Sequence, residues 1–288
     1  MYDYLFQMPD LALFALLSVI SIVASLGAIY LVKVFIPLPI RYKDDTVIGN
    51  TASLISVIYG VLAGLSALYL INNNSYTADA VQREANAVAD IYRDSKWLQP
   101  APRDVIQNQI KLYLQRIIQV EWPVMEHGNK VDNNQGNLLI DNITNELIHY
   151  NGKSGSEELL LHDMLDEVRT LYDARQQRIH MSESELSPEL WIVILLGSIL
   201  TLCINYLFGM NFYLHIVTVS AAALMTSSMI FLLITLDRPF QGEFIIEPTA
   251  FQSILDYIDT SHPKTAQVKL TAPKMHVHKE SFSTPTFI

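Results

Sequence analysis

The sequence predicts an all-α membrane protein: four transmembrane helices in two hairpins, with a helical extramembrane domain inserted between spans 2 and 3. Three observations carry this reading. Four long apolar runs, at 11–36, 46–71, 191–208 and 212–236, hold no Asp, Glu, Lys or Arg in their interiors. A bilayer core about 30 Å thick takes about 20 apolar residues in a helix, and each run is near or above that length. Charged residues make up only 17% of the chain, against about 25% in a soluble protein, and they crowd into the middle block and the tails. Between the second and third runs, apolar residues recur at helical spacing. The chain therefore divides into 1–71 (spans 1 and 2), 72–189 (the polar helical domain), 190–237 (spans 3 and 4) and 238–288 (a short helix and a disordered tail).

Span 1 ends at Pro37 and Pro39, which stop a helix, and a short charged loop runs from Arg41 to Asp45. The ten residues before span 1 carry no Lys or Arg, and the run itself is too long for a signal-peptide core, so it reads as a retained span. Span 2 continues into a polar helix over 75–97, with Val81, Ala85, Val88 and Tyr92 on one stripe, as one rod that bends at Asn72-Asn73-Asn74. Pro100 and Pro102 break the rod. A second helix is expected over 103–126, buried through Ile106, Ile110, Tyr113, Leu114, Ile117 and Ile118. A loop follows over 127–137, a third helix over 138–150, a turn at 151–155 and a fourth helix over 156–181. The fourth helix buries Leu161, Leu165, Val168, Leu171 and Tyr172. Ser187-Pro188 suits the start of span 3. Only Gly209-Met210-Asn211 joins spans 3 and 4, and a last short helix covers 249–259.

The net charge is −10, which excludes nucleic acid as a partner. Residues 72–189 carry 11 Lys and Arg against 19 Asp and Glu, a net of −8, so this acidic domain is a surface for cations or for a protein partner. The one cysteine, Cys203, permits no intramolecular disulfide and says nothing of compartment. An even number of spans puts both termini and the middle domain on one side. Lys33, Arg41 and Lys43 stand near the other side, against Arg83, Arg175, Arg178 and Arg238, so positive charge hardly separates the two orientations.

Span 2 holds the sharpest packing signal. Ala52, Ser56, Gly60 and Gly64 recur every four residues, with Asn50 and Ser53 nearby, and Gly60 to Gly64 is a GxxxG motif. Two readings stay open: packing against another span of the same chain, or a pore-lining or subunit-interface face around a symmetry axis. No span carries a carboxylate, Lys or Arg away from its ends, so an ion-coupled pump lacks its usual intramembrane charge. His215 is the one ionisable candidate and reads as structural. Glu84 borders the buried stripe of the rod, and Asp79 and Arg83 have the favourable i, i+4 order. A salt-bridge network joining the rod to other helices is the first reading of Glu84, and an ion-contacting vestibule the second. Asp237, Arg238, Pro239 and Phe240 end span 4, where either charged residue has Glu84, Arg93, Arg175 or Arg178 as a possible partner. No nucleophile elbow, P-loop, HExxH or Rossmann fingerprint occurs, so the chain is not read as an enzyme and needs no cofactor or metal. His162 and Asp166 share a helical face but read as solvated.

The glycine-rich second span running into Arg83-Glu84-Ala85-Asn86-Ala87 and Tyr92-Arg93 resembles the bestrophin-like family of bacterial membrane proteins of unknown function. So does the span 4 exit, Leu236-Asp237-Arg238-Pro239-Phe240-x-Gly242-Glu243, with Trp122-Pro123 and Arg175-x-x-Arg178 between. The resemblance covers roughly 45–251. True bestrophins, more distantly similar, are pentameric anion channels with cytosolic termini, a helical cytosolic domain and a pore lined by the second span. The resemblance implies a homo-oligomer in the bacterial cytoplasmic membrane, in which Ser56, Gly60 and Gly64 face a central axis. It also implies coupling or structural roles for Glu84, Asn86, Tyr92, Arg93, Arg175, Arg178 and the Asp237 to Phe240 exit. The sequence departs from true bestrophins in lacking an aromatic pore neck and an alignable acidic calcium clasp, and a −8 domain suits cations better than anions. The expected function is a passive ion channel; the alternative is a non-conducting accessory or scaffold subunit.

Overall fold

A computed structural model describes residues 9–35, 45–150, 154–208, 211–242 and 245–261. The expected loop prolines Pro37 and Pro39, most of the turn at 151–155, the link at Gly209-Met210, Glu243 and the tail from His262 lie outside them. Among the described residues the fold is all-helical, and four helices are long and apolar enough to cross a membrane. These are α1 (Asp10–Phe35), α2 (Asp45–Ser95), α7 (Pro188–Tyr206) and α8 (Phe212–Leu236). Between and after them lie α3 (Pro100–Arg116), a π-helical turn (Ile117–Glu121), α4 (Trp122–Glu126), α5 (Asn133–His149), α6 (Gly155–Ser182) and α9 (Thr249–Ser261).

No proline occurs in α2, so its hydrogen-bond ladder runs unbroken through Asn72–Asn74 for 51 residues. At 1.5 Å per residue the rod is about 76 Å long, more than twice the thickness of a bilayer core. Its outer half packs mainly on α6, with α3 and α9 beside it. Val81, Ala85, Val88 and Tyr92 are all buried there, as the stripe predicts.

Three boundaries differ from the sequence reading, each for a local reason. Helix α3 starts at Pro100, because prolines in a first turn give up only N–H groups that have no intrahelical partner. Helix α5 starts at Asn133, because the Asp132 carboxylate accepts the Asn134 N–H (3.1 Å) and caps it. The expected 103–126 helix is interrupted because Pro123 has no N–H to donate to Gln119 and its ring crowds that carbonyl. The ladder widens instead, with the Trp122 N–H reaching back five residues to the Ile117 carbonyl.

The polar helices close around Trp122, Tyr113, Ile106, Leu114 and Leu171. On α6 the buried face is Met164, Val168, Leu171, Arg175 and Arg178 rather than one ending in Tyr172, which is 40% exposed. The C-terminal helix α9 joins this core through Phe251 and Ile258.

In the membrane half, contacts do not follow chain order. Span 1 makes its main contact with α8, and α2 lies chiefly on α7, so spans 1 and 2 do not pack as the expected hairpin. The cause is a polar seam on α1. Ser21 donates to the Ala223 carbonyl (3.2 Å), Ser18 meets Ser227 (3.4 Å) and Ser25 accepts from Tyr206 of α7 (2.9 Å). Small polar groups of this kind hold helices together in lipid. His215 is buried in the first turns of α8, with Nε2 3.1 Å from the Asn205 carbonyl, in keeping with a structural role.

Where α2 crosses α7, a Cβ at Gly197 would come within 2.8 Å of the Tyr59 ring, whereas one at Gly27 would meet nothing within 4 Å. Gly197→Ala should therefore destabilise the protein by about 1–3 kcal/mol in detergent unfolding experiments, and Gly27→Ala should leave stability near wild type. Equal stability of the two variants would contradict this crossing.

Candidate functional site

Two features of α2 stand out, one on each side of the rod. The first is an uncovered stripe at helical spacing along its whole length. Asn50, Ser53, Gly60 and Gly64 lie on it in the membrane half, interspersed with Val57, Leu68 and Ile71, and Ser75, Gln82 and Asn86 continue it beyond; all are exposed. A Cβ at Gly60 or Gly64 would meet nothing within 4 Å, so none of the described helices packs on the GxxxG face. Ala52 departs from the stripe, being 6% exposed, and Ser56 is half-buried. The reason is helical pitch: each four-residue step advances about 40°, so Ala52 lies about 120° round from Gly64. A row of small residues spaced by four winds about the helix, and only its Gly60–Gly64 end is open.

The second feature is a buried charge network on the opposite side. Arg178 of α6 donates from Nε to Glu84 Oε2 (2.6 Å) and from Nη2 to Glu84 Oε1 (3.0 Å) and Glu121 Oε2 (2.9 Å). Arg175, one turn earlier, holds Glu121 with both terminal nitrogens, at 2.7 and 2.9 Å. All four side chains are at most 1% exposed. Tyr113 donates to Glu84 (2.6 Å), Arg116 to Glu121 (3.1 Å), and the Arg175 Nε to Asn137 (3.2 Å). The Trp122 ring lies 5.7 Å from the Arg178 guanidinium, and Phe240 and Phe251 meet that indole edge-on. Gly136 is required here, since a Cβ would come within 2.0 Å of the Arg175 guanidinium.

Burial alone would raise the Glu121 carboxyl, but the hydrogen bonds and charges of Arg175 and Arg178 outweigh it and hold the group below its ordinary value. Burial and the negative charge of Glu84 push the Tyr113 phenol well up. Burial opposes the charge on Arg178, yet Glu84 and Glu121 prevail and raise its pKa. Its fully buried centre is thus two fixed cations on two carboxylates, neutral in sum, with Arg116 reaching Glu121 from the rim.

Glu84, Arg175 and Arg178 are brought together as the sequence reading allowed; other expected members are not. Arg93 stays on the surface with Asp90 (2.7 Å) and Asp94 (3.5 Å). Asn86 accepts from Gln82 (2.9 Å), and the buried Tyr92 packs edge-on to the exposed Tyr257. Arg83 reaches the Asp79 carbonyl (3.4 Å) and Gln177 (2.6 Å). Asp237 and Arg238 hold Leu186, Trp191 and Glu185 instead of Glu84, Arg93, Arg175 or Arg178, while Pro239 and Phe240 are buried. Glu121 was not foreseen. Its signal was a lone carboxylate in the apolar run 117–123, next to the proline that widens the helix. His162 and Asp166 pair on an exposed surface, and no cluster of metal ligands occurs among the described residues.

The bestrophin-like domain family matches residues 19–251. A singly substituted bacterial bestrophin homologue from Klebsiella pneumoniae has the same fold, with TM-score 0.66 and 12% identity over 86% of this chain and 98% of that one. A second variant from the same organism gives TM-score 0.65 and 12% identity over 85% and 98%. A structure described as a membrane protein gives TM-score 0.65 and 11% identity over 86% and 97%. No curated protein sequence matches the chain. The chain belongs to the bestrophin-like family and is a membrane protein.

Removing one partner from a buried ion pair costs about 3–5 kcal/mol. Arg178→Met should lower stability to denaturant by that order, since it leaves Glu84 unpaired. Because the Glu121 value is depressed on folding, its contribution is full above about pH 4.3, the ordinary glutamate value, and fades as pH falls through the folded value. Denaturation measured against pH should show that loss in the wild type and a smaller loss in Glu121→Gln. An unchanged pH slope in the variant would contradict the assignment.

Proposed function

We propose that this chain is one subunit of a homo-oligomeric, passive ion channel in the bacterial cytoplasmic membrane. Residues 72–189 form an extramembrane domain between the first and second pairs of spans, and the termini and that domain face the cytosol. The uncovered stripe of α2 faces a central axis shared by the copies, five of them if assembly follows the true bestrophins. Asn50, Ser53, Gly60 and Gly64 line that axis or the contact between neighbours.

One observation carries the reading: the small and polar residues of the longest helix are left uncovered by their own chain. The adjoining flank, with Leu54, Ile58 and Leu65, is apolar as a lipid-facing surface would be, whereas on the stripe small and polar residues alternate with Val57, Leu68 and Ile71. Asn50, Ser53, Gly60 and Gly64 call instead for water or a close backbone neighbour. Family membership and the likeness to bacterial bestrophin homologues support the same arrangement.

The mass of the particle purified in nanodiscs is the first test, with passive ion flux in liposomes the second. A closed multiple of the subunit mass, together with flux, is expected. Gly60→Leu should lower the assembly state or abolish flux, because a branched side chain blocks close approach. A monomeric wild-type particle, or a fixed complex with a different protein, would overturn the proposal.

A further inference from the structure

Three helices meet at one point, and one carboxylate ties two of them together. Asn74 of α2 donates from Nδ2 to the Leu236 carbonyl at the end of α8 (3.2 Å). The next residue, Asp237, is 8% exposed. One of its oxygens accepts the Leu186 backbone N–H (2.6 Å) and the other the Trp191 indole N–H (3.2 Å). Leu186 precedes α7, and Trp191 lies in the first turn of that helix. Arg238 then pairs with Glu185 (2.8 Å). Two successive residues after α8 thus grip two successive residues before α7. Leu186, so held, packs with Ala67, Leu70, Ile194 and Leu233 from the three helices.

The chemistry of the grip depends on charge. An ionised carboxylate has acceptor sites on both oxygens, which suits two N–H donors. A carboxylic acid carries hydrogen on one oxygen, which leaves that oxygen a weaker acceptor and a proton to place elsewhere. A backbone amide and an indole nitrogen donate only, so neither can reverse its role.

We propose that Asp237 is a proton-operated latch: ionised, it fastens the start of α7 to the end of α8 beside the rod, and protonated, it releases the first turn of α7. The charged groups that act on it are Glu185, from the segment it grips, and Arg238, its own neighbour. Burial raises the Asp237 carboxyl above its ordinary value, and Glu185 adds to the rise; the two hydrogen bonds and Arg238 oppose it. Two N–H donors on its two oxygens are the arrangement of the ionised, closed latch. It opens on acidification above the ordinary aspartate value of about 3.9. This inference stands apart from conduction.

The test uses the full-length protein in detergent micelles, labelled with 5-fluorotryptophan. The chain has three tryptophans, Trp97, Trp122 and Trp191, assigned by single Trp→Phe variants. The Trp191 fluorine resonance should titrate reversibly, with a midpoint above about pH 3.9, while the Trp122 resonance in the polar core stays fixed. Asp237→Asn should abolish that titration, and Glu185→Gln should move its midpoint down. A Trp191 resonance unmoved by acid, or one that titrates equally in Asp237→Asn, would overturn the latch. If Asp237→Asn fails to fold, an unmoved midpoint in Glu185→Gln would overturn it.

Discussion

Two arginines in the dry centre of the polar helices hold carboxylates from two other segments, and the rest of the structure is arranged to let them. Arg178 bonds both Glu84 on the rod and Glu121 on the π-helical turn, and Arg175 bonds both oxygens of Glu121. Desolvating four charges is costly, and an apolar cluster of the same volume would be at least as stable. What the charges supply is register. A guanidinium fork meets a carboxylate in few geometries, so α6, α2 and the π-helical turn fit together in one way. Gly136 gives Arg175 its room, Pro123 forces the widened turn that carries Glu121, and Trp122 covers Arg178.

The network also governs what the membrane half presents. Glu84 stands 20 residues beyond Gly64, about 30 Å along a continuous helix, and about 200° round it. Gripping the rod at Glu84 therefore turns the Gly60–Gly64 stripe away from the chain's own helices. The rod transmits that setting because no proline or break intervenes. Trp122, packed on Phe240 just past α8, links the same network to the end of the last span. A −8 surface surrounds this neutral centre, since the four buried charges cancel.

Much of this was legible in the residues because membranes and helices impose simple rules. Apolar run length placed all four spans, and the Val81 to Tyr92 stripe gave the buried face of the rod. The GxxxG motif marked the open face but could not say what covers it, as a motif carries no partner. Pairing among spans escaped because serine seams such as Ser18, Ser21 and Ser25 read as ordinary polar residues until a facing helix is known. Glu121 escaped because its burial depends on an irregular turn that regular periodicity hides. Tyr172 was placed inside because it follows Leu171 in an apolar pattern, yet the arginines take the interior beyond that point. Asp237 was seen as a helix end, and its two donors lie 46 and 51 residues away, beyond any local pattern.

The proposed channel arrangement turns the open stripe of α2 toward a central axis, where its polar ends at Ser53 and Gln82 would meet water, while the flank beside it would meet lipid or a neighbouring copy. Cysteines placed singly at Ser53, Gln82 and Ile58, with Cys203 changed to serine, test it directly in membrane vesicles. Rapid labelling at Ser53 and Gln82 by a small charged thiol reagent, with Ile58 protected, is the expected pattern. Protection of both Ser53 and Gln82 with labelling at Ile58 would turn the flank rather than the stripe toward water and contradict the account.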